Sequence, residues 1–229
     1  MRARAKKGND PKPFPTTEVG RRALNAAVRP GLTFSEVMTG MITKGSTDPI
    51  EGYENEAAVA MSLTAVVDIA NLPALLRDPH HRGRWAAAGE LPVWGGPITS
   101  GADGDFRLFR RTVGQNGKPV REMVYDTFVT VGGQTYLLRG FKVIEPGPLW
   151  RAWTATTTMY VRFFDLGNTA GPPVAAGILR LSLGGFLRQL TTMRVTGGLS
   201  LVDELHFLGL FFRFFAGSLV RTYLLRRRW

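Results

Sequence analysis

The chain has 229 residues, no cysteine and a net charge of +11. That length suits one sizeable core, and the missing thiols exclude disulfides, thiolate catalysis and cysteine-ligated zinc or iron–sulfur chemistry. The charge sits at the ends: residues 1–30 carry eight Lys/Arg against two acids and residues 199–229 carry five against two, so the centre is close to neutral. A neutral body with basic tails and no DNA or RNA motif is not a phosphate-lined groove, and no nucleic-acid partner is expected.

The opening MRARAKKGNDPKPFP is followed by prolines and charge instead of an apolar run, so it does not read as a secretory signal, and the expected location is cytoplasmic. Residues 1–30 bury too little apolar surface to offset their ordering entropy and read as a basic flexible arm, with one helical turn around Gly20–Val28. From Glu54 the pattern changes. NEAAVAMSLTAVVDIA predicts a half-buried strand over Ala58–Ile69. In NLPALLRDPHHR, Asn71 is a natural N-cap before Pro73, for a short helix that stops before Pro79. Strands then follow at Gly83–Gly89, Gly96–Thr112, Arg121–Val131, Gln134–Glu145, Thr154–Phe164, Val174–Ser182 and Gln189–Thr196. Gln115-Asn116-Gly117-Lys118 and Val131-Gly132-Gly133-Gln134 supply tight hairpin turns. Gly184-Gly185, between ILRLSL and FLRQL, reads as a corner where a strand turns into a short helix before the last strand, of the kind that often needs positive backbone dihedrals.

Seven or eight strands in succession with little helix predict a mainly β domain over residues 31–198. The expected form is one antiparallel barrel, lipocalin-like, with short helices. At about eight strands its interior either holds one small ligand or is filled by side chains.

The ordered patterns FSEVMTGMI, LLRDPHHRGR, GDFRLF, VYDTF, YLLRGFKVI, TATTTMYVRFF and AAGILRLSLGGFLRQLTTMRV span Leu32 to Val195. This succession resembles a family of bacterial barrel domains found alone or appended to flavin-dependent sterol (cholesterol) oxidases of the glucose–methanol–choline type. The resemblance implies a setting in lipid or sterol metabolism and hands over no catalytic residues. The oxidase itself is not implied, since no G-x-G-x-x-G follows a strand and opens a helix.

Few residues suggest catalysis, and no cofactor or metal is expected. His80 and His81 are adjacent and diverge on either a helix or a strand, whereas two ligands on one helix face want a spacing of three or four. The plain reading is a turn at Asp78-Pro79-His80 with a histidine packed over an aromatic such as Trp85. No Gly-x-Ser-x-Gly elbow presents a nucleophile. In YLLRGFKVI, Tyr136, Leu138, Gly140, Lys142 and Ile144 share one face, opposite Leu137, Arg139, Phe141 and Val143. One row therefore carries a cation. If Arg139 or Lys142 points inward it needs an acid, and Asp126 or Glu122 on the adjoining strand is the expected partner. Tyr125, Asp126, Tyr136, Arg139, Lys142 and Trp153 are thus the candidate ligand-binding residues of a polar handle in an apolar pocket. The competing reading is a solvated outer face with weak ion pairs. Thr154, Thr156 and Thr158 read as an exposed β-face, and Trp150 and Trp153 either close the barrel mouth or pack a loop.

Leu199 to Leu225 contains no proline. At 100° per residue, Asp203, His206, Arg213, Gly217 and Arg221 fall within a stripe about 80° wide, and the rest is largely apolar. Residues 199–229 are therefore expected to form an amphipathic C-terminal helix, too charged to span a bilayer, that rests in its headgroup boundary. Phe207, Phe211, Phe212, Phe214 and Phe215 would meet membrane or partner, and Arg226, Arg227, Arg228 and Trp229 the anionic surface, each basic residue contributing roughly 1 kcal/mol. Three placements stay open: lipid, a partner protein, or the protein's own barrel. The resulting expectation is a lipid- or sterol-associated barrel, peripheral to a membrane, that acts as a non-catalytic binding or accessory module to an oxidoreductase. The alternative is a small cofactor-independent isomerase or cyclase using Asp126, Lys142 and Tyr136 on a sterol-like or fatty-acid-derived substrate.

Overall fold

The structure is a computed structural model, and it describes residues 29–114, 117–148, 150–197 and 200–223. The arm through residue 28, Gln115-Asn116 and the terminal Arg226-Arg227-Arg228-Trp229 lie outside the described residues. The first strand, β1 (Gly31–Lys44), precedes the first strand expected from the sequence. It is followed by helix α1 (Pro49–Glu54), β2 (Val59–Ile69), α2 (Leu72–Arg77), β3 (Arg82–Leu91), β4 (Gly96–Ser100), β5 (Gly104–Val113), β6 (Pro119–Val131) and β7 (Gln134–Ile144). Then come α3 (Arg151–Thr157), β8 (Thr158–Asp165), β9 (Ala175–Arg180), α4 (Leu183–Thr192), β10 (Arg194–Thr196) and α5 (Leu201–Tyr223).

All strand pairings are antiparallel. Each strand from β1 to β3 and from β6 to β9 pairs with its sequence neighbour, and β4 and β5 share the place between β3 and β6. β1 then pairs with β9, which closes an eight-position barrel and removes its edges. β10 adds three pairs to the start of β1. Closure brings backbones very near: a Cβ on Gly40 would lie 1.9 Å from the Ile178 carbonyl oxygen, and one on Gly177 2.1 Å from that of Met41.

The interior follows the period of two. Met61, Leu63, Ala65, Val67 and Ile69 of β2 are buried, as are Tyr136, Leu138, Lys142 and Ile144 of β7 and Met159, Val161 and Phe163 of β8. At the end where β6 turns into β7, Trp94 stacks on Tyr136 at 4.2 Å and meets Phe163 edge-on at 5.1 Å, sealing the barrel with aromatic rings. The other end is where β1 begins and where β7 and β9 finish, so α3 and α4, which continue those strands, gather there.

Local chemistry explains most elements. Asn71 caps α2, its side-chain oxygen accepting from Ala74 N at 2.9 Å. The Gly132-Gly133 turn joins β6 to β7, both residues at positive φ. Three expectations are corrected. Arg151–Thr157 is helical, and the Thr156 and Thr157 hydroxyls donate to carbonyls one turn back. The span expected as a final strand from Gln189 is helix through Thr192, with only Arg194–Thr196 extended. Gly184-Gly185 forms the first turn of α4 under a Ser182 cap, and neither residue has a positive φ. In the first two cases docking of the segment onto the barrel end overrides weak β propensity.

Gly40→Ala should cost about 1–3 kcal/mol in urea unfolding, because the contacting atom is backbone and cannot turn aside. A variant as stable as the parent would mean that β1 and β9 are not this close.

Candidate functional site

Among the described residues the inward rows of the barrel are largely apolar but hold a buried ion pair, Glu36 and Lys142, while Arg121 and Thr127 of β6 are buried as well. β1 reads GLTFSEVMTGMITK, and its inward row is Leu32, Phe34, Glu36, Met38, Gly40 and Ile42, a carboxylate amid hydrocarbon. Glu36 is 5 % exposed and Lys142, from β7, only 1 %. Lys142 Nζ donates to Glu36 Oε2 at 2.7 Å. The Tyr125 hydroxyl, from β6, donates to the same oxygen at 3.2 Å, and Gln189 Nε2, from α4, donates to Glu36 Oε1 at 2.9 Å. Lys142 Nζ also lies 5.4 Å from the Tyr125 ring centre. Trp85 and Phe106 pack on that ring edge-on and tilted, so little freedom is left to the phenol. Burial above all, and then the Glu36 carboxylate, hold the Tyr125 hydroxyl well above its ordinary pKa.

Of the residues singled out in the sequence, Tyr125 and Lys142 are brought together, and the others lie elsewhere. The acid that meets Lys142 is Glu36, not Asp126 or Glu122. Register explains this: Lys142 faces Met123 and Arg139 faces Asp126, so the acids at 122 and 126 lie on the outer face. There Asp126 approaches Arg139 at 4.0 Å and Glu122 pairs with Arg110 at 2.6 Å. Burial raises the Asp126 pKa, against the pull of Arg139. Arg139 lies over the Phe164 ring. Tyr136 points inward near the opposite end, about 20 Å along β7 from Lys142 at 3.4 Å per residue, and its hydroxyl donates to Gln134. The Asp126, Lys142 and Tyr136 site of the isomerase alternative is therefore not assembled. Trp153 sits on α3 and meets Phe186 of α4 edge-on at 5.2 Å, joining two of the helices at that end, while Trp150 is 79 % exposed. Glu36 and Gln189 were missed. A glutamate in the apolar row of an alternating stretch was the available signal for the first.

α5 lies against its own barrel with one face and leaves another open. Phe211, Ser218, Thr222 and Tyr223 are buried, and Phe207, Phe214 and Phe215 pack against the core. A bulge between Arg107 and Arg110 gives Phe109 a φ of 56° and turns its ring toward Phe214 and Phe215. Phe212 faces solvent with Leu201, Val202, Leu205 and Val220. α4 repeats the pattern: Leu183, Leu187 and Leu190 are exposed, at helical spacings of four and three that align them in one stripe. Among the described residues, ten of the sixteen exposed large apolar side chains belong to the segments 150–153, 183–190 and 201–220. Among the described residues, no helix is long and apolar enough to cross a membrane.

His81 packs on Phe214 of α5 at 4.9 Å, not on Trp85, and its Nδ1 is buried without a hydrogen-bond partner. Burial lowers its pKa; Asp78 opposes this, while Arg121, Arg111 and His80 add to it. Among the described residues no three of His, Cys, Asp or Glu converge to hold a metal ion. Two surface depressions lie outside the barrel, one beside α2 and one over β1 and β2.

Fold and site thus define a closed antiparallel barrel with a buried lysine–glutamate pair and one helical, partly apolar end. Comparison with models of protein families, with curated proteins and with solved structures finds no match. The likeness to oxidase-appended domains rests on the sequence patterns alone.

Lys142→Met should cost about 3–5 kcal/mol in urea unfolding by stranding a buried carboxylate, and the double variant Glu36→Leu, Lys142→Met should recover most of that loss. Single variants as stable as the parent would rule out the buried pair. The folded state also binds a proton at His81 less readily than the unfolded chain does. Stability should therefore fall as pH drops through about 6.5, and His81→Asn should flatten that dependence between pH 7.5 and 5; parallel curves for parent and variant would exclude the histidine.

Proposed function

We propose that this protein is a lipid- or sterol-associated barrel that works at an anionic membrane surface and serves as a non-catalytic binding or accessory module. The observation that carries the reading is the concentration of exposed apolar side chains on the helices at one barrel end. Isolated exposed leucines are ordinary in soluble proteins, but a set gathered on one end and aligned along two helices is the mark of a contact surface. Its occupant is set by charge. α3, α4 and α5 carry Arg151, Arg188, Arg213 and Arg221 against Asp203 and Glu204, and the chain continues into Arg226-Arg227-Arg228. Cations bordering an apolar stripe suit a layer of anionic headgroups over hydrocarbon. Trp150 and Trp153 are of the type that prefers that boundary.

Vesicle flotation tests this. Full-length protein should float with vesicles of one part phosphatidylserine to three of phosphatidylcholine, and less so as salt rises. Leu187→Asp with Phe212→Asp, both at exposed positions, should lower the floated fraction severalfold without altering the unfolding curve. Equal flotation of parent and double variant would end the reading.

A further inference from the structure

We infer that the Glu36–Lys142–Tyr125 cluster is the head-group site for a neutral, hydroxyl-headed apolar molecule, with Gln189 of α4 as the group that holds its place; this rests on the reading of the helical end as a face turned toward lipid.

Of the three groups that donate to Glu36, only Gln189 lies outside the barrel strands. Lys142 and Tyr125 belong to barrel strands and are fixed by the sheet. Gln189 comes from a ten-residue helix none of whose residues is fully buried. That helix is tied down by the Phe186–Trp153 contact and by Thr192 on the Ser35 backbone. Its outer side carries the exposed leucines that a lipid surface would engage. An element with few buried apolar contacts opens at low free energy. Lifting α4 gives up the Gln189 hydrogen bond together with the Thr192–Ser35 bond and the Phe186 packing, and it opens the Oε1 side of Glu36, while Oε2 stays with Lys142 and Tyr125.

The chemistry of the head group follows from the charges. Glu36 and Lys142 neutralise each other, so a cationic head would leave one positive charge in excess, and a carboxylate would be forced against Glu36. A neutral group fits if it donates to Oε1 as the Gln189 amide does. The Lys142 ammonium has three N–H donors and makes one hydrogen bond among the described residues, so it can also supply a donor to an oxygen. An alcohol is the smallest group that donates and accepts at once. The rest of the ligand would lie along the apolar lining at that end, where Phe34 and Phe211 now meet at 6.4 Å.

Titration calorimetry with four molecules of one chain length tests the inference: 1-decanol, decanoate, decylamine and decyl methyl ether, each below its aggregation limit and without vesicles. The alcohol should bind at least tenfold more tightly than the other three. Gln189→Ala should strengthen alcohol binding severalfold, since the competing amide is gone. The double variant Glu36→Leu, Lys142→Met should erase the preference while circular dichroism stays unchanged. No binding of the alcohol, equal affinity for all four, or a Gln189→Ala variant that binds the alcohol no better would overturn it. A protein that takes up the alcohol but does not float with vesicles would lose the membrane reading alone. One that floats and refuses the alcohol would lose this site alone.

Discussion

A lysine and a glutamate buried together inside a barrel constrain the rest of the structure, because each is tolerable only while the other is in place. The two residues are 106 positions apart in the chain and meet only after β1 has been seated between β2 and β9. A one-residue slip of β1 would turn Glu36 outward and leave Lys142 alone in hydrocarbon. Apolar residues filling the same positions would permit such slips at smaller cost. The pair therefore adds little net stability but penalises wrong registers of the closing strand. The two glycines at the β1–β9 seam act in the same direction, since they let that strand pair approach closely in this register.

The barrel was legible because its hairpins carry their own turn chemistry and its strands alternate. Val131-Gly132-Gly133-Gln134 fixes the β6–β7 register, and with it the sharing of one face by Lys142 and Tyr125. That register also places Asp126 opposite Arg139, so the turn already contained the information that the hairpin acids point outward. What it could not contain was Glu36, whose strand pairs with residues far along the chain and whose inward row is broken by that very carboxylate. Thr154–Thr157 and Gln189–Thr192 were misread for a related reason. Threonine favours strands locally, but these segments lie on the barrel end, where a helix covers more of the opening than a strand would.

The two ends of the barrel are closed by different means. At one, Trp94 is stacked between Tyr136 and the edge of Phe163, a plug of rings supplied by a turn and two strands. At the other, helices are laid across and held by aromatic contacts from a bulge and from a histidine whose ring nitrogen is buried. The first closure is built into the sheet. The second depends on contacts that can be given up one helix at a time, and it lies over the polar cluster.

The C-terminal helix shows why composition alone could not choose between lipid, partner and barrel. Its polar stripe is so narrow that docking one side on the barrel still leaves Leu201, Leu205 and Phe212 in water. A helix needing only to cap the mouth would carry charge on that outer side, where an apolar residue gains nothing in the isolated protein and invites aggregation. Asp203, Glu204, Arg213 and Arg221 occur on the same helix, so the apolar stripe does not come from a lack of charged residues in the segment. An apolar strip running beside arginines, on the one barrel end whose closure is made of separable parts, joins the two halves of the proposal: the surface that would rest on lipid is also the cover of the buried site.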